Sequence, residues 1–215
     1  MVNEKIIAAI KSAREGSPKR NFRQSFDLAI NFRDLDTRKQ ENKIKAEIVL
    51  PNPPVAGRIG FFADALVAPA KKLGERIVLV TKDQIDAYGK NKKAAKALAN
   101  SVDSFLAEAG LMPAVAKALG PVLAVRGKMP KPVPPTIPDL SPLVTRMSAT
   151  IRVAVRDSPV VHTRVGTEDM DDEKVAANIE AIVTTVIAAL PKGKEQIRNG
   201  VVKLTMGKAV KFEVA

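Results

Sequence analysis

Near its C-terminus the chain alternates between apolar and polar residues on both sides of a glycine. The alternation runs through Val201–Met206, is interrupted at Gly207 and resumes over Val210–Val214. A period of two on both sides of a glycine predicts a β-hairpin with one buried face. The turn Thr205-Met206-Gly207 offers a hydroxyl, a thioether and a backbone that a partner can approach closely. With lysines on the other face, such a hairpin suits a phosphate-bearing polymer; an ordinary solvated terminal hairpin is the alternative.

The N-terminal part of the chain shows the same alternating style after one amphipathic helix. The spacing of isoleucines predicts that helix over Val2–Arg14. Alternation then predicts strands over Phe26–Phe32 and Lys43–Leu50, separated by a charged loop at Arg33–Asn42. Pro51-Asn52-Pro53-Pro54 cannot continue a strand, so we expect a boundary there.

The middle of the chain follows a different pattern, in which short and nearly continuous apolar runs alternate with helical segments. Continuous apolar strands between helices predict a small parallel sheet covered on both faces. The runs are Ile59–Phe62, Ile77–Val80 and Val102–Leu106, and the helical segments are Ala65–Leu73, Asp83–Tyr88, Lys92–Asn100 and Leu111–Leu119. A proline-rich break follows at Arg126–Pro135, with Pro138 and Pro142 beyond it.

After this break the alternating style of the N-terminal part returns. A strand is predicted at Ile151–Val155, a turn at Asp157-Ser158-Pro159, and a returning strand at Val160–Val165. An apolar stripe then predicts one long helix over Val175–Leu190. We expect a basic loop at Lys192–Asn199, with Asn199-Gly200 as a turn dipeptide before the hairpin.

The two ends of the chain therefore share a style that the middle lacks. The sequence predicts a mixed α/β and α+β fold of two domains. A discontinuous α+β domain is formed by residues 1–57 and 151–215, and an α/β domain formed by residues 58–150 is inserted between two proline-marked hinges.

Composition narrows the classes of partner. Lys and Arg number 35 against 23 acids, a formal charge of +12, which indicates a polyanionic partner such as nucleic acid or an acidic membrane surface. The chain contains no Cys, and no apolar run is long enough to span a membrane, so a soluble intracellular protein is expected. Aromatic residues are too few for base-stacking platforms. Any RNA would therefore be bound by shape, phosphates and 2′-hydroxyls.

Two clusters are candidate RNA contacts. In Arg20-Asn21-Phe22-Arg23 the guanidinium groups could bind phosphates and the ring could lie on a ribose, while the hydroxyl of Ser25 could reach a 2′-hydroxyl. The alternative is a basic loop with Phe22 buried in the core. His162 and Arg164 would project from the same face of one strand and could contact RNA together, although a lone histidine beside valines is more often an ordinary strand residue.

Three further features have weaker functional interpretations. Gly57-Arg58-Ile59-Gly60 lacks the spacing of a nucleotide-binding glycine loop, so a nucleotide-dependent enzyme is only a remote alternative. The acids within Glu168–Glu173 could be drawn as a metal site, but charges at a helix start explain them better. The rigid, cationic Arg126–Pro132 is either a hinge without regular structure or a second contact surface, for RNA or a neighbouring protein. No cofactor is expected.

Several motifs together resemble the archaeal form of the ribosomal protein L-one family, the mobile stalk protein of the large subunit. They occur in the family's order along essentially the whole chain. The motifs are Arg20-Asn21-Phe22 followed by Ser25, Val49-Leu50-Pro51, Arg126-Gly127-Lys128-Met129-Pro130-Lys131-Pro132, and Thr205-Met206-Gly207.

The resemblance implies a discontinuous α+β RNA-binding domain with an inserted Rossmann-like, three-layer α/β domain. It implies a structural, non-enzymatic protein of the cytoplasmic ribosome, monomeric when free, that binds a helical junction of large-subunit rRNA. It also implies a part in the release of deacylated tRNA from the exit site, and repression of translation through the protein's own mRNA.

The resemblance also assigns site residues. The family's contact residues match Phe22, Ser25, Thr205, Met206 and Gly207, and His162 falls where members often have histidine. The cations expected to neutralise phosphates around them are Arg20, Arg23, Lys203 and Lys208, and Arg164 is expected to contact RNA together with His162. Members commonly have proline after Thr-Met-Gly, where this chain has Lys208, so the fine geometry of the turn is expected to differ.

Overall fold

The computed structural model describes residues 2–37, 44–54, 57–64, 66, 67, 70, 77–135, 140–155 and 158–214. The chain forms two compact units. The terminal unit comprises Met1–Pro54 and Ala149–Ala215, and the inserted unit comprises Val55–Ser148. The boundaries predicted after residues 57 and 150 lie slightly C-terminal to these limits and, as domain boundaries, stay a prediction.

The described elements confirm the predicted mixed fold class, with parallel strands in the middle of the chain and antiparallel strands at its ends. Short 3₁₀ helices occur at Ala109–Leu111 and Gly193–Gln196. In chain order the elements are α1 (Val2–Glu15), β1 (Ser25–Phe32), β2 (Lys45–Val49), β3 (Ile59–Phe62), β4 (Ile77–Val80), α2 (Lys82–Lys90), α3 (Lys92–Ser101), β5 (Ser104–Glu108), α4 (Met112–Leu123), β6 (Lys131–Val133), α5 (Ser141–Ala149), β7 (Thr150–Ala154), β8 (Val160–Thr167), α6 (Asp172–Ala189), β9 (Ile197–Leu204) and β10 (Val210–Phe212).

The terminal unit is built on an antiparallel sheet of order β10-β9-β1-β8, with β2 and β7 paired separately. Every second residue of the central strand β1 is buried, including Phe26, Leu28 and Ile30, as the alternation predicted. These side chains join residues of α1 and α6 in one hydrophobic core. Because each large apolar side chain contributes roughly 1.5–3 kcal/mol when fully buried, this core fixes which face of the sheet remains open.

The predicted C-terminal hairpin is confirmed, because β9 and β10 pair in antiparallel register. The expected turn at Asn199-Gly200 is wrong, since both residues lie inside β9. The ring of Phe212 covers Gly200 so closely that a Cβ there would lie 2.3 Å from the ring's Cζ. The loop predicted at Lys192–Asn199 is also wrong, because it contains the 3₁₀ helix at Gly193–Gln196 and the start of β9.

The strands β7 and β8 follow one another in the chain but belong to different sheets. β7 pairs with β2, whereas β8 pairs with β1. The strand at Val160–Val165 therefore does not fold back onto its predecessor as a paired strand. The first residue of the predicted turn, Asp157, lies outside the described residues.

The inserted unit contains a parallel sheet of order β4-β3-β5-β6, as the continuous apolar runs predicted. Alternate residues of β3 enter two separate hydrophobic clusters, Phe62 with α2, α3 and α4 and Phe61 with α5. This is the predicted three-layer arrangement. Most of the helix expected at Ala65–Leu73 lies outside the described residues.

The proline-rich segment after α4 has regular structure at its C-terminal end. Lys131–Val133 forms the edge strand β6, where the missing N–H of Pro132 costs no ladder hydrogen bond. Pro142 lies in the first turn of α5, a position that proline tolerates well. The interpretation of Arg126–Pro132 as a segment without regular structure is therefore wrong for its C-terminal end.

No helix in the described parts of the chain is long and apolar enough to cross a membrane.

Candidate nucleic-acid interface

The ends of β1 and β9 bring together two segments of the terminal unit that are far apart in sequence. The backbone N–H of Ser25 donates to Oγ1 of Thr205 (3.1 Å), and the backbone N–H of Thr205 donates to the carbonyl of Ser25 (3.1 Å). Met206 is held beside this pair, because its N–H donates to the side-chain oxygen of Gln24 (3.2 Å). Phe22 precedes Gln24 by two residues, so their Cα atoms are at most roughly 7 Å apart. We call Phe22, Ser25 and Thr205–Gly207 the platform.

The two large apolar side chains of the platform are open to solvent. Phe22 is 50% exposed and Met206 is 54% exposed. The alternative that Phe22 is buried in the core is therefore wrong, and so is the inward position that simple alternation gives Met206. The last residue of β9 whose side chain points into the core is Leu204, which is buried. Exposed apolar side chains at a sheet end, surrounded by polar residues, are typical of an interaction site.

Gln24 is the residue that joins the parts of the platform, and sequence reasoning missed it. Its side chain is 2% exposed. The oxygen accepts from Met206 N–H and from the Ser17 hydroxyl (3.4 Å), and the nitrogen donates to the carbonyl of Pro18 (3.2 Å). The sequence indicates its burial, because Gln24 lies two residues before Phe26 and its side chain therefore points to the same, core-facing side. A buried amide must find partners, and here those partners belong to both segments.

Gly207 closes the turn by packing, not by an unusual backbone conformation. Its N–H donates to the carbonyl of Leu204 (2.9 Å). A Cβ at this position would lie 3.1 Å from Cβ and Oγ of Ser17, tighter than nine in ten real Cβ contacts. The turn therefore lies directly on the loop after α1. Lys208, the residue after this turn, is exposed.

The open face of the sheet collects three of the other predicted contacts. His162 and Arg164 of β8 and Lys203 of β9 line one open depression of ≈ 500 Å³. Asp27 of β1, which sequence reasoning did not single out, lies between them, in register with both Arg164 and Lys203. None of these four side chains has a hydrogen bond or ion pair to another described residue. They remain available to a ligand.

The two arginines of the basic motif differ. Arg23 pairs with the carboxylate of Asp169, and its Nη2 donates to Oγ1 of Thr167 (3.2 Å), so it is held against the end of β8. Arg20 is exposed and lines a depression of ≈ 370 Å³ with Lys19. The structure therefore leaves Arg20, and not Arg23, as the free cation of this motif.

The acids before and within the start of α6 have internal partners. Arg14 donates to the carboxylate of Asp172 (2.8 Å) and the carbonyl of Met170 (2.9 Å). The hydrogen bond from Lys174 lowers the pKa of the exposed Asp171. Only part of the helix-start interpretation holds, because Glu168 and Asp169 precede a helix that begins at Asp172. Within the described residues no group of acids or histidine could hold a metal ion.

Comparison with known proteins adds to this geometry. The sequence pattern of the "Ribosomal protein L1p/L10e family" matches residues 10–208. The "Large ribosomal subunit protein uL1" of Methanothermobacter thermautotrophicus is 46% identical over 212 residues, which cover 98% of this chain and 99% of that protein. The proteins of the same name from Methanobrevibacter smithii and Thermococcus kodakarensis are 43% and 41% identical, each over 98% of this chain and over 99% and 97% of their own lengths.

This chain belongs to the ribosomal protein L1p/L10e family. The resemblance found in its motifs is confirmed, including its archaeal type. It is a ribosomal protein and not an enzyme.

The described residues of the inserted unit offer no nucleotide site at the sheet edge where its fold would place one. In parallel α/β sheets, phosphates bind to backbone N–H groups just beyond the carboxyl ends of the strands. Here the N–H groups of Asp64 and Leu66, after β3, donate to the buried carboxylate of Glu108 at 2.9 and 2.7 Å. Gly60 of the weak glycine motif lies inside β3 against the ring of Phe105. The protein's own carboxylate therefore occupies the anion position.

Proposed function

We propose that this protein is a structural component of the large ribosomal subunit and that its platform binds a helical junction of large-subunit rRNA. One observation carries the proposal. The Ser25–Thr205 hydrogen bonds place exposed Phe22 and Met206 at the same sheet end. Free cations lie close by, on the loop, the turn and the open sheet face. Family membership supports RNA as the partner.

The centre of the platform suits the sugar edge of a folded RNA. Oγ1 of Thr205 already accepts the N–H of Ser25, which leaves a second lone pair for a ribose 2′-hydroxyl. Met206 and Phe22 can exclude water around that hydrogen bond. A hydrogen bond shielded from water is costly to lose, because its partner is then buried and unsatisfied, at about 1–3 kcal/mol.

Positive charge comes from the cations around the platform, which we call the rim. Arg20, Arg164, Lys203 and Lys208 have no ion-pair partner among the described residues and can neutralise phosphates. Asp27 stands between two of these cations and cannot accept a phosphate. It would accept a hydrogen bond from a base amino group or a 2′-hydroxyl. Because phosphates can bind only at the cations and not at Asp27, the open face favours one orientation of the RNA.

The test is whether the purified protein selects large-subunit rRNA over bulk RNA at moderate salt. We expect selective binding and an affinity that falls steeply with salt, with a log–log slope of roughly −3 to −4 for four neutralised phosphates. Equal affinity for bulk RNA would contradict the specific function. A flat salt dependence would contradict the role of the rim.

We further propose that the same surface binds a mimic of the junction in the protein's own mRNA and represses translation. The resemblance to the family supports this role, and one RNA surface is sufficient for both. If it is correct, an mRNA fragment competes with the rRNA junction for the platform, and Met206→Asp weakens both complexes. An mRNA fragment that binds without competing would contradict a shared surface.

Assistance in releasing deacylated tRNA from the exit site is also proposed, on the family resemblance alone. Ribosomes reconstituted without the protein should release exit-site tRNA at a changed rate that adding the protein restores. An unchanged rate would argue against this role.

A further inference from the structure

The inserted unit has a strongly basic surface that the platform does not explain. Lys90 ends α2, and Lys92, Lys93 and Lys96 lie in the first turns of α3. All four are exposed, and none has a hydrogen bond or ion pair through its ammonium group to a described residue. No acid occurs from Ala87 to Val102.

A lysine of α4 extends this surface. α2 and α4 pack so closely that a Cβ on Gly89 would lie 3.0 Å from Cβ of Ala118. Lys117, the neighbour of Ala118, is exposed and belongs to a helix without acids. We call Lys90, Lys92, Lys93, Lys96 and Lys117 the lysine cluster.

The acids on either side of the cluster in the sequence form no ion pair with it. Asp86 is exposed one turn before Lys90 in α2 and has no ion pair with a described residue. The carboxylate of Asp103 accepts the N–H of Arg58 (3.0 Å). Glu108 is 6% exposed and accepts the N–H groups after β3. The five lysines are therefore exposed to solvent without an ion-pair partner among the described residues.

The arrangement departs from what helix stability favours. Lys92 and Lys93 occupy the first turn of α3, where the helix dipole favours anions. Lys96 lies one turn from both, so like charges are neighbours. These lysines do not cap the helix, because the side chain of Asn91 already accepts the N–H groups of Lys93 and Ala94 at 3.1 and 3.2 Å. Residues that are unfavourable for the stability of their own helix are expected at functional sites.

We propose that the lysine cluster is a second RNA-binding surface, which binds backbone phosphates of an A-form RNA segment separate from the one on the platform. Lysine ammonium groups bind phosphates as point charges and carry no base specificity. Between Ala87 and Leu123 no large apolar side chain is exposed, the nearest along the chain being Val125 after α4, and the one aromatic at this surface, Tyr88, is partly buried. A protein interface would need an apolar centre, and single-stranded RNA would need stacking platforms. The inference extends the proposed function to the inserted unit.

Two variants of equal charge test the cluster in the full chain. The first carries Lys92→Gln, Lys93→Gln and Lys96→Gln, and the control carries Lys11→Gln, Lys192→Gln and Lys194→Gln in the terminal unit, all exposed. Glutamine keeps the helix propensity of lysine, so both should fold. The probe is a labelled 20-base-pair RNA duplex of arbitrary sequence, measured with unlabelled rRNA junction fragment in excess.

We expect the cluster variant to lose about tenfold in affinity for the duplex at roughly 50 mM salt and the magnitude of its salt slope to fall by about two to three. The control should change affinity by less than about twofold. Equal losses of duplex affinity in the two variants, or no loss in the cluster variant, would overturn the inference. Poly-glutamate serves as a second, non-RNA polyanion, and a cluster variant that loses binding to poly-glutamate but not to the duplex would overturn it too. Failure of the wild-type protein to select the junction over the duplex would instead count against the proposed function, and the comparison of the two variants would still decide the role of the cluster.

Discussion

Met206→Asp is expected to weaken binding of the rRNA junction by about 100-fold, or about 2.7 kcal/mol, and to leave the free energy of unfolding within about 0.5 kcal/mol of wild type. The side chain of Met206 is 54% exposed, and only its backbone N–H is tied to Gln24, so the core is undisturbed. In the complex a carboxylate at this position would be desolvated beside phosphates. Filter-binding titrations and urea unfolding measure the two effects.

Lys208→Ala is the matched control, because it changes the net charge by the same amount at a neighbouring position. We expect it to weaken binding only a few-fold, since an exposed cation at the rim interacts through solvent. Met206→Leu should stay close to wild type. If Met206→Asp and Lys208→Ala weaken binding equally, the centre of the platform has no special role.

Gln24→Leu is expected to lower the free energy of unfolding by about 2 kcal/mol and junction affinity by about tenfold. The substitution removes the acceptor of Met206 N–H and the donor to the Pro18 carbonyl in a buried site, and unsatisfied buried groups cost about 1–3 kcal/mol each. The turn and the loop that carries Phe22 would then no longer be held together, so part of the binding free energy would go to ordering them. Urea unfolding and filter binding measure both quantities.

Gln196→Leu separates this effect from a general loss of stability. Gln196 is also buried, and its side chain accepts the N–H of Lys192 (3.1 Å). It precedes β9 at the end opposite the platform, so we expect a comparable destabilisation with RNA affinity near wild type. If both variants lose affinity equally, Gln24 acts only through overall stability.

Much of the fold follows from local periodicity. The alternation of β1 and the continuous runs of β3, β4 and β5 each predicted a strand, because side-chain direction depends only on position along a strand. Burial followed the prediction in β1, β3 and β5, but only partly in β4, where Ile77, Val78 and Leu79 are half-buried. The prediction of a turn at Asn199-Gly200 was wrong for a reason that the local sequence does not reveal. The ring of Phe212 comes from the neighbouring strand and needs a residue without a side chain beneath it.

Residue chemistry and family motifs were enough to choose the residues of the candidate site, whose binding to RNA stays a prediction. They did not reveal the neighbours that strand register gives these residues. Phe22 and Thr205–Gly207 were identified by the motifs. Asp27 was missed because its position between Arg164 and Lys203 follows from the pairing of β1 with two strands. The pairing of Arg23 with Asp169 joins residues far apart in the chain, so the sequence did not reveal that this arginine is occupied.

The central claim is that two distant segments of the chain form one RNA-binding platform, and site-specific photo-cross-linking tests it directly. Benzoylphenylalanine would replace Phe22 in one variant, Met206 in a second and exposed Lys194 in a control, each bound to large-subunit rRNA. We predict that the first two cross-link to neighbouring nucleotides of the same helical junction and that the control does not. Cross-links from Phe22 and Met206 to unrelated parts of the RNA, or from neither position while the complex is intact, would contradict the account.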